Sequence, residues 1–342
     1  MVGRADVARL AGVSPAVVSY VLNDSHPVSS GTRQKVEAAI EQLGYRPNVL
    51  ARSLATARSH TLGLLLPDSS NSFFAQLAAA VENAALEAGL VVLLGNGADD
   101  TERELGYVRT FLDRRVDGVI AVPGGEFERG WREISAARVP AVSLDRLPSD
   151  LDLPSVVVDN VGGGRAATEH LIEHGRARIA CITGPREMSS AIGRAEGWRG
   201  ALRDAGRAAP TERLRHRAFT AEGGYAAALE LLEREPGIDG IFVASDLQGV
   251  GVMRALADHG RQAGRDIAVV SFDGTALSEY TTPRLTTVSQ PYDRLAGEVV
   301  RMLVVLIGDP VRDRSEMHLV LPTTLVTRGS CGCSDYEGRL AA

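Results

Sequence analysis

The sequence predicts an α/β protein with an all-α N-terminal head and a larger body built on parallel β-sheets. Its 342 residues are enough for two or three domains. The first 60 residues show apolar residues at helical spacing, separated by turn residues. From residue 61 onward, short apolar runs alternate with amphipathic stretches. That alternation is typical of a parallel sheet with helices on both of its faces.

Two short helices joined by a tight turn are predicted near the N-terminus. Asp6–Leu10 forms the first, and Gly12 suits a turn that requires positive φ. Ser14 caps the second helix, Pro15 begins it, and it runs to about residue 23. Its apolar stripe is expected to pack on the first helix and consists of Val17, Val18, Val21 and Leu22, facing Val7, Ala8 and Leu10. The opposite face carries Pro15, Ala16, Ser19, Tyr20 and Asn23.

A third helix completes the head. Ser29 or Ser30 can cap it, and it ends at Gly44. Its buried face is predicted to consist of Val36, Ala39, Ile40 and Leu43. Residues 1–60 contain seven basic and four acidic side chains, a net charge of +3 within a chain of net charge −6. A positive segment on an acidic body suits a nucleic-acid partner, because phosphate contacts supply much of the affinity.

Three segments closely resemble the lactose/galactose repressor (LacI/GalR) family. They are DVARLAGVSPAVVSYVLN, VSSGTRQKVEAAIEQLGYRPN and ARSLATARSHTLGLLLPD, and further matches extend to about Gly329. The resemblance implies a helix-turn-helix head over 1–47, a hinge helix and linker over 48–60, and a two-lobed periplasmic-binding-protein-like domain over 61–330. It places the first lobe at about 61–160 and 291–322, the second at about 161–290 and 323–330, and a tail at 331–342.

The resemblance also implies roles for residues of the head and hinge. Pro15, Ala16 and Tyr20 match positions that read bases. Ser14, Ser19 and Asn23 match positions that contact the DNA backbone or mark the ends of the helix. Tyr20 differs from the arginine often found there, and Gly3 and Arg4 also depart from the family pattern. The hinge contributes the DNA-binding residues Asn48, Ala51 and Leu54. Leu54 matches the leucine that the family inserts into the minor groove, where an apolar side chain kinks the duplex.

In the body, polar residues follow the predicted strands and mark a cleft for a small molecule. The strands are predicted at 62–67, 90–95, 118–122, 141–144, 156–159, 179–183, 240–244 and 267–272. Ligands of such sheets bind at the carboxyl ends of the strands. The effector-binding residues expected from the strand ends and the resemblance are Ser70, Phe73, Phe74, Asp145, Arg194, Phe219, Asp246 and Asp273. Carboxylates and a guanidinium can bind hydroxyl groups in pairs, which favours a sugar or sugar derivative.

Three other patterns suggest chemistry that the rest of the sequence does not favour. His170, Glu173 and His174 spell H-x-x-E-H, but His174 directly precedes Gly175, where a histidine suits a helix C-terminus. Gly162, Gly164 and Ala167 form a short G-x-G-x-x-A match that no acidic residue follows at the required distance. Cys331 and Cys333 have no further metal ligands beside them in sequence. No metal, cofactor or catalytic residues are therefore predicted.

The function expected from these features is that of a DNA-binding transcriptional regulator, most simply a repressor, and not an enzyme. Its expected partners are a near-palindromic operator, a second copy of the chain and a carbohydrate effector. The alternative is a solute-binding or sugar-modifying protein on the same two-lobed scaffold. Three cysteines, no secretory signal and no apolar run near 20 residues favour a cytoplasmic protein without membrane contact.

Replacing Leu54 with alanine tests the predicted hinge. The variant should lose operator affinity, because the duplex is no longer wedged open, while effector binding stays close to that of the parent chain. A gel-shift titration measures the first property and a thermal-shift titration the second. Equal operator affinity in the two proteins would refute the hinge assignment.

Overall fold

The computed structural model of the chain describes residues 2–45, 58–98, 100–124, 127–147, 153–309 and 317–333. The chain forms two compact units, Met1–Ser59 and His60–Ala342. The hinge residues Asn48, Ala51 and Leu54 and the tail beyond Cys333 lie outside the described residues.

The described part of the first unit, residues 2–45 and 58–59, contains three helices around a small core. They are α1 (Arg4–Ala11), α2 (Pro15–Asn23) and α3 (Ser30–Leu43). Val7, Val18 and Val36 are fully buried and bring one side chain from each helix to the centre. The expectation that Leu10 belongs to this core is wrong, since Leu10 is 45% exposed. On an eight-residue helix, Val7 and Ala8 already fill the narrow face that α2 and α3 cover.

The second unit contains two six-stranded sheets. The described strands are β1 (Thr61–Leu66), β2 (Val91–Asn96), β3 (Gly118–Ala121), β4 (Ala141–Leu144), β5 (Ser155–Val158), β6 (Ile179–Thr183), β7 (Leu214–His216), β8 (Gly240–Val243), β9 (Ala268–Asp273), β10 (Thr286–Ser289), β11 (His318–Leu321) and β12 (Thr324–Val326). The first sheet has the order β11-β5-β4-β3-β1-β2, and the second has the order β12-β10-β9-β8-β6-β7. All described pairings are parallel except that of β10 with β12.

Helices pack on the sheets to form two lobes, here called the first and second lobes after their sheets. The described helices are α4 (Ser72–Glu87), α5 (Thr101–Asp113), α6 (Glu128–Ala136), α7 (Asn160–Glu173), α8 (Ser189–Asp204), α9 (Ala221–Arg234), α10 (Asp246–Asp258) and α11 (Tyr292–Gly308). Helices α7 and α8 form one close pair and α9 and α10 another, both in the second lobe. Helix α11 packs against α4 and strands of the first sheet.

The chain passes between the lobes three times. It leaves the first sheet after β5, returns after β10 to form α11, and crosses again between β11 and β12. All eight strands predicted from apolar runs are present. Their residues are buried or half-buried, except that β2 also contains exposed residues. The four strands without a prediction are β7, β10, β11 and β12, which are three or four residues long. These strands mix polar and apolar residues within three or four positions, so they show neither an apolar run nor a period.

Among the described residues, no single helix is long and apolar enough to cross a membrane. Helices α1 and α2 meet the length and composition criteria only as a pair, across a bend of 102°.

Gly164 of the G-x-G-x-x-A segment serves helix packing, together with Gly197 of the neighbouring helix. A Cβ atom on Gly164 of α7 would lie 2.4 Å from the Arg194 carbonyl oxygen of α8. A Cβ atom on Gly197 of α8 would likewise lie 2.2 Å from the Val161 carbonyl oxygen. Because backbone atoms fill these positions, only glycine permits the two helices to approach so closely. Helix contact therefore accounts for Gly164, whereas Gly162 lies against the Asp159 side chain that caps α7.

Replacing Gly197 with alanine should destabilise the chain by about 1–3 kcal/mol, because the added methyl group forces α7 and α8 apart. Gly297 is the matched control, since it also lies inside a helix but a Cβ atom there would meet nothing within 4 Å. Gly297→Ala should be neutral or stabilising by up to about 1 kcal/mol. Urea unfolding of the three proteins gives both values. Equal stability of the two variants would show that the α7–α8 contact tolerates the methyl group.

Candidate functional site

The N-terminus of α2 presents an exposed surface on the head. Ser14 accepts a hydrogen bond from the Val17 amide at 3.3 Å, so its side chain caps the helix. Pro15 and Ala16 follow and are exposed. The buried side of the helix is anchored by Val18 and Val21. A helix held in this way can place its first turn in a major groove.

Tyr20 extends this surface by one turn of α2. Its ring stacks on His26 with 4.3 Å between the ring centroids, and the residue is half-buried. The stack fixes the ring orientation before DNA is met, which lowers the entropy lost on binding. Ser19 is half-buried beside it. The backbone of Asn23 ends α2, but its side chain lies outside the described residues.

A cavity lies between the two lobes of the second unit. The first lobe contributes four lining residues and the second lobe contributes five. They are Asn71, Phe73, Asp145 and Arg146 from the first lobe, and Ser190, Arg194, Phe219, Ser245 and Asp273 from the second. Three hydrogen bonds between described residues link the lobes directly. The Asn71 side chain donates to the Phe219 carbonyl oxygen at 3.4 Å, the Leu147 amide donates to Ser189 Oγ at 3.0 Å, and the Tyr292 hydroxyl donates to the Asp273 carbonyl oxygen at 3.1 Å.

Arg194 organises the second-lobe side of the cavity, although it is only 3% exposed. Its Nε donates to Asn160 Oδ1 at 2.8 Å, and its Nη1 donates to the Ala244 carbonyl oxygen and, at 3.3 Å, to Asp273 Oδ1. Its guanidinium carbon lies 3.7 Å from the centre of the Phe272 ring, which supports the charge from below. Among the described residues, Nη2 has no hydrogen-bond partner, so this nitrogen is the one that a ligand can use.

Two buried aspartates meet the cavity from opposite lobes with strained backbones. Asp145 follows β4 with φ of 66°, and Asp273 ends β9 with φ of 107°. Residues other than glycine rarely occupy this region, and such strain clusters at ligand sites. Within the described part of the chain, the buried Asp145 Oδ1 has no hydrogen-bond partner. Burial raises the pKa of Asp273 to about 8 against the opposing charge of Arg194, and burial also raises the pKa of Asp145.

Aromatic rings close the cavity. Phe73 of the first lobe and Phe219 of the second both line it. Phe74 lies behind Phe73, with 5.0 Å between the ring centroids, and its ring also faces the Arg146 guanidinium at 5.4 Å. Phe74 is not among the residues that line the cavity, so its ring supports the wall from behind Phe73, and its contact with a ligand stays a prediction.

Two other predicted effector residues also lie outside the cavity. Ser70 is exposed, and its hydroxyl donates to Asp68 at 2.7 Å, so it shapes the turn before α4. Asp246 is fully buried, and its two carboxylate oxygens accept hydrogen bonds from Ser271, Thr275 and Thr287 at 2.6–2.9 Å. These contacts tie α10 to β9 and β10, which is a structural role.

The cavity also contains residues that the sequence-based predictions missed. They are Asn71, Arg146, Ser190 and Ser245. Asn71 caps α4 by accepting from the Phe73 amide, and Ser245 caps α10 by accepting from the Gln248 amide. Asn71 belongs to the polar segment after β1, and Ser245 belongs to the polar segment after β8. The sequence therefore indicated both segments as parts of the site. The local pattern did not indicate which member of each segment faces the cavity.

A head of three helices and a two-lobed body with a polar cleft together define a DNA-binding transcriptional regulator. The profile of the lacI family of bacterial regulatory proteins matches residues 5–48, and that of a periplasmic binding protein-like domain matches residues 168–331. The ribose operon repressor of Escherichia coli K12 is 37% identical over 95% of this chain and 98% of its own length. CelR of Thermobifida fusca is 37% identical over 92% of this chain and 96% of its own length.

Solved structures agree with this assignment. The lac repressor dimer bound to operator and the anti-inducer ONPF matches with a TM-score of 0.83 and 31% identity, covering 97% of this chain and 99% of that one. The complex of CelR with cellobiose matches with a TM-score of 0.73 and 35% identity, covering 96% of this chain and 100% of that one. The chain therefore belongs to the LacI family of bacterial regulatory proteins. The predictions of its family and its fold class are confirmed.

Replacing Asp273 with asparagine should stabilise the chain progressively as the pH rises. Since the pKa of this carboxyl is about 8 in the folded chain and 3.8 ordinarily, the unfolded chain ionises first and the parent loses stability between these values. Asparagine removes that loss. Thermal unfolding at several pH values between about 5 and 8 measures the difference. Exposed Asp293→Asn controls for the loss of one negative charge. A stability difference for Asp273→Asn that does not grow with pH would contradict the assignment.

Proposed function

We propose that this chain is a transcriptional repressor that binds operator DNA as a homodimer and is controlled by a small carbohydrate in the interlobe cavity. The observation that carries the proposal is that one chain combines an exposed α2 N-terminus with a cavity built by both lobes around Arg194 and Asp273. The sugar-responsive relatives, which include a ribose operon repressor and a cellobiose-bound CelR, support it.

The chemistry of the cavity supports a polyhydroxylated ligand. Arg194 Nη2 can donate, the Asp145 carboxylate can accept, and Asn71 offers an amide. Phe73 and Phe219 supply apolar walls for the C–H face of a sugar ring. The open space is at most about 280 Å³, its solvent-facing mouth included. The enclosed part of that space is about 20 Å³, room for about one water molecule, so a sugar would require the two lobes to move apart.

Effector control follows from the position of the cavity. A ligand that contacts Arg194 and Asp145 together stabilises one relative arrangement of the lobes. We propose the division into head (1–47), hinge (48–60), body (61–330) and tail (331–342), so that the lobe arrangement sets the spacing of two hinges in the dimer. Only about 1–3 kcal/mol of differential affinity is needed to couple the two sites.

In the head, we propose that Pro15, Ala16 and Tyr20 read bases while Ser14, Ser19 and Asn23 position α2 on the backbone. Tyr20 offers a hydroxyl and an apolar ring edge, which suits a thymine methyl group and a single acceptor. Asn48, Ala51 and Leu54 would contact the minor groove. A near-palindromic operator follows from the two-fold symmetry of a dimer.

Replacing Tyr20 with alanine should weaken binding to the selected operator by about 1–3 kcal/mol, because one base-reading side chain is lost. Its salt dependence should stay the same, since no phosphate contact is removed. The operator is first obtained by selection from random duplexes, and affinity is measured by fluorescence anisotropy. Tyr280→Ala is the matched control, because Tyr280 is 84% exposed and lies in the second unit.

The same assay tests effector control. Sugars, polyols and nucleosides that raise the melting temperature are added to the operator complex. A stabilising sugar should shift operator affinity in the parent chain and fail to do so in Arg194→Leu. Sugar binding without any effect on DNA affinity would favour a solute-binding protein, whereas conversion of the sugar would favour an enzyme. Failure of the parent chain to select any duplex would refute the repressor.

A further inference from the structure

The second lobe contains a cluster of two cysteines and two histidines, away from both sites described above. It unites His170 and His174 on the C-terminal turn of α7 with Cys331 and Cys333, which follow β12. The ligand atoms of His170, Cys331 and Cys333 all lie within 4.8 Å of one another. Cys333 Sγ lies 3.8 Å from His170 Nε2 and 3.0 Å from His174 Nε2.

We propose that this cluster is a zinc site in which His170, Cys331 and Cys333 bind Zn²⁺ and His174 supplies the fourth ligand. Thiolate and imidazole are the ligands that Zn²⁺ prefers, and four protein ligands make a closed structural site. Bond lengths of about 2.0–2.3 Å around a tetrahedral ion place neighbouring ligand atoms roughly 3.5–3.8 Å apart. The distances among His170, Cys331 and Cys333 lie close to that geometry. His174 already meets Cys333, but its ring would have to move toward the other two ligands to complete the site.

The histidines are oriented for metal binding. His174 is four residues after His170, so both rings lie on one face of α7, with 4.2 Å between their centroids. His174 Nδ1 lies 2.9 Å from the His170 carbonyl oxygen. Donation of the Nδ1 proton to that carbonyl leaves a lone pair on Nε2, the nitrogen that faces Cys333. Metal-binding histidines commonly use their second nitrogen in this way.

The backbone between the cysteines brings both thiols to one side. Gly332 has φ of 96°, and a Cβ atom there would lie 2.8 Å from the Gly264 carbonyl oxygen. Only glycine fits this turn, because a side chain would be both strained and obstructed. Cys331 is buried and receives a hydrogen bond from the Thr286 hydroxyl at 3.1 Å, whereas Cys333 is half-buried. One thiol is thus held by the fold and the other remains reachable by an incoming ion.

A bound ion would clamp the C-terminal turn onto α7. Helix α7 begins directly after the first crossing between the lobes, and β12 follows the third crossing. The turn at Cys331 is otherwise held through Ser330, whose hydroxyl donates to the Val269 carbonyl oxygen of β9 at 2.6 Å. The proposed ion would therefore stabilise the second lobe and needs neither effector nor DNA.

Metal titration of the tag-free, reduced and chelator-treated full-length chain tests the proposal. Co²⁺ should bind once per chain and give a thiolate-to-metal charge-transfer band with tetrahedral d–d absorption. Zn²⁺ should displace it and raise the melting temperature. Cys333→Ser should lose the charge-transfer intensity of one thiolate and at least about tenfold in affinity. Cys331→Ser should behave alike, and His174→Gln should weaken binding while retaining both thiolate contributions.

His259→Gln is the matched control. His259 also lies at the end of a helix, and its Nδ1 lies 3.0 Å from the Ala255 carbonyl oxygen, four residues earlier. It is not part of the cluster. This variant should bind Co²⁺ like the parent chain, and circular dichroism of every variant reports whether it folds. The proposal fails if the reduced parent gives no thiolate band or if a folded Cys333→Ser keeps the full band. A disulfide between Cys331 and Cys333 in protein purified without oxidant, with no metal uptake after reduction, would also overturn it.

Discussion

The buried guanidinium of Arg194 is the contact on which the effector-binding half of the molecule depends. A charge that is 3% exposed is tolerated only because its nitrogens bond Asn160, Ala244 and Asp273 and its face lies on Phe272. Those partners come from α7, the end of β8 and the end of β9. One side chain therefore fixes the strand ends that form the floor of the cavity, and removing it would leave Asp273 buried without its cation.

The cavity is also a place where the fold stores strain. Asp145 and Asp273 both adopt positive φ, and burial raises the pKa values of both carboxyls. A ligand that donates hydroxyl groups to them can offset this cost, so it gains affinity from a site that is unfavourable when empty. Since one aspartate belongs to each lobe, the same ligand also favours lobe closure. Backbone strain, buried charge and the arrangement of the lobes are therefore all coupled at Asp145 and Asp273.

Much of the fold could be predicted because it is encoded locally. Apolar runs such as 179–183 and 240–244 form strands in the centre of a parallel sheet, where every strand residue is buried. Short edge strands such as β7 and β12 were missed, because three residues carry no period. In the cavity, Asp145, Arg194, Phe73, Phe219 and Asp273 were identified from strand ends and family motifs. Ser70 and Asp246 do not line the cavity, since a strand end does not reveal which of two adjacent polar residues turns inward.

The sequence by itself determined the head, the order of strands and helices along the body, and the family to which the chain belongs. These features depend on periodicity, caps and motifs within short segments. Only the tertiary structure decided that Asp246 is a buried residue that connects α10 to β9 and β10. It also decided that Cys333 meets two histidines that lie 159 and 163 positions earlier in the chain. The physical reason is that these contacts join segments far apart in the chain. Asp246 meets β9 and β10, and Cys333 reaches α7 only because the chain crosses back to the second lobe at β12. No local pattern in either segment specifies that crossing.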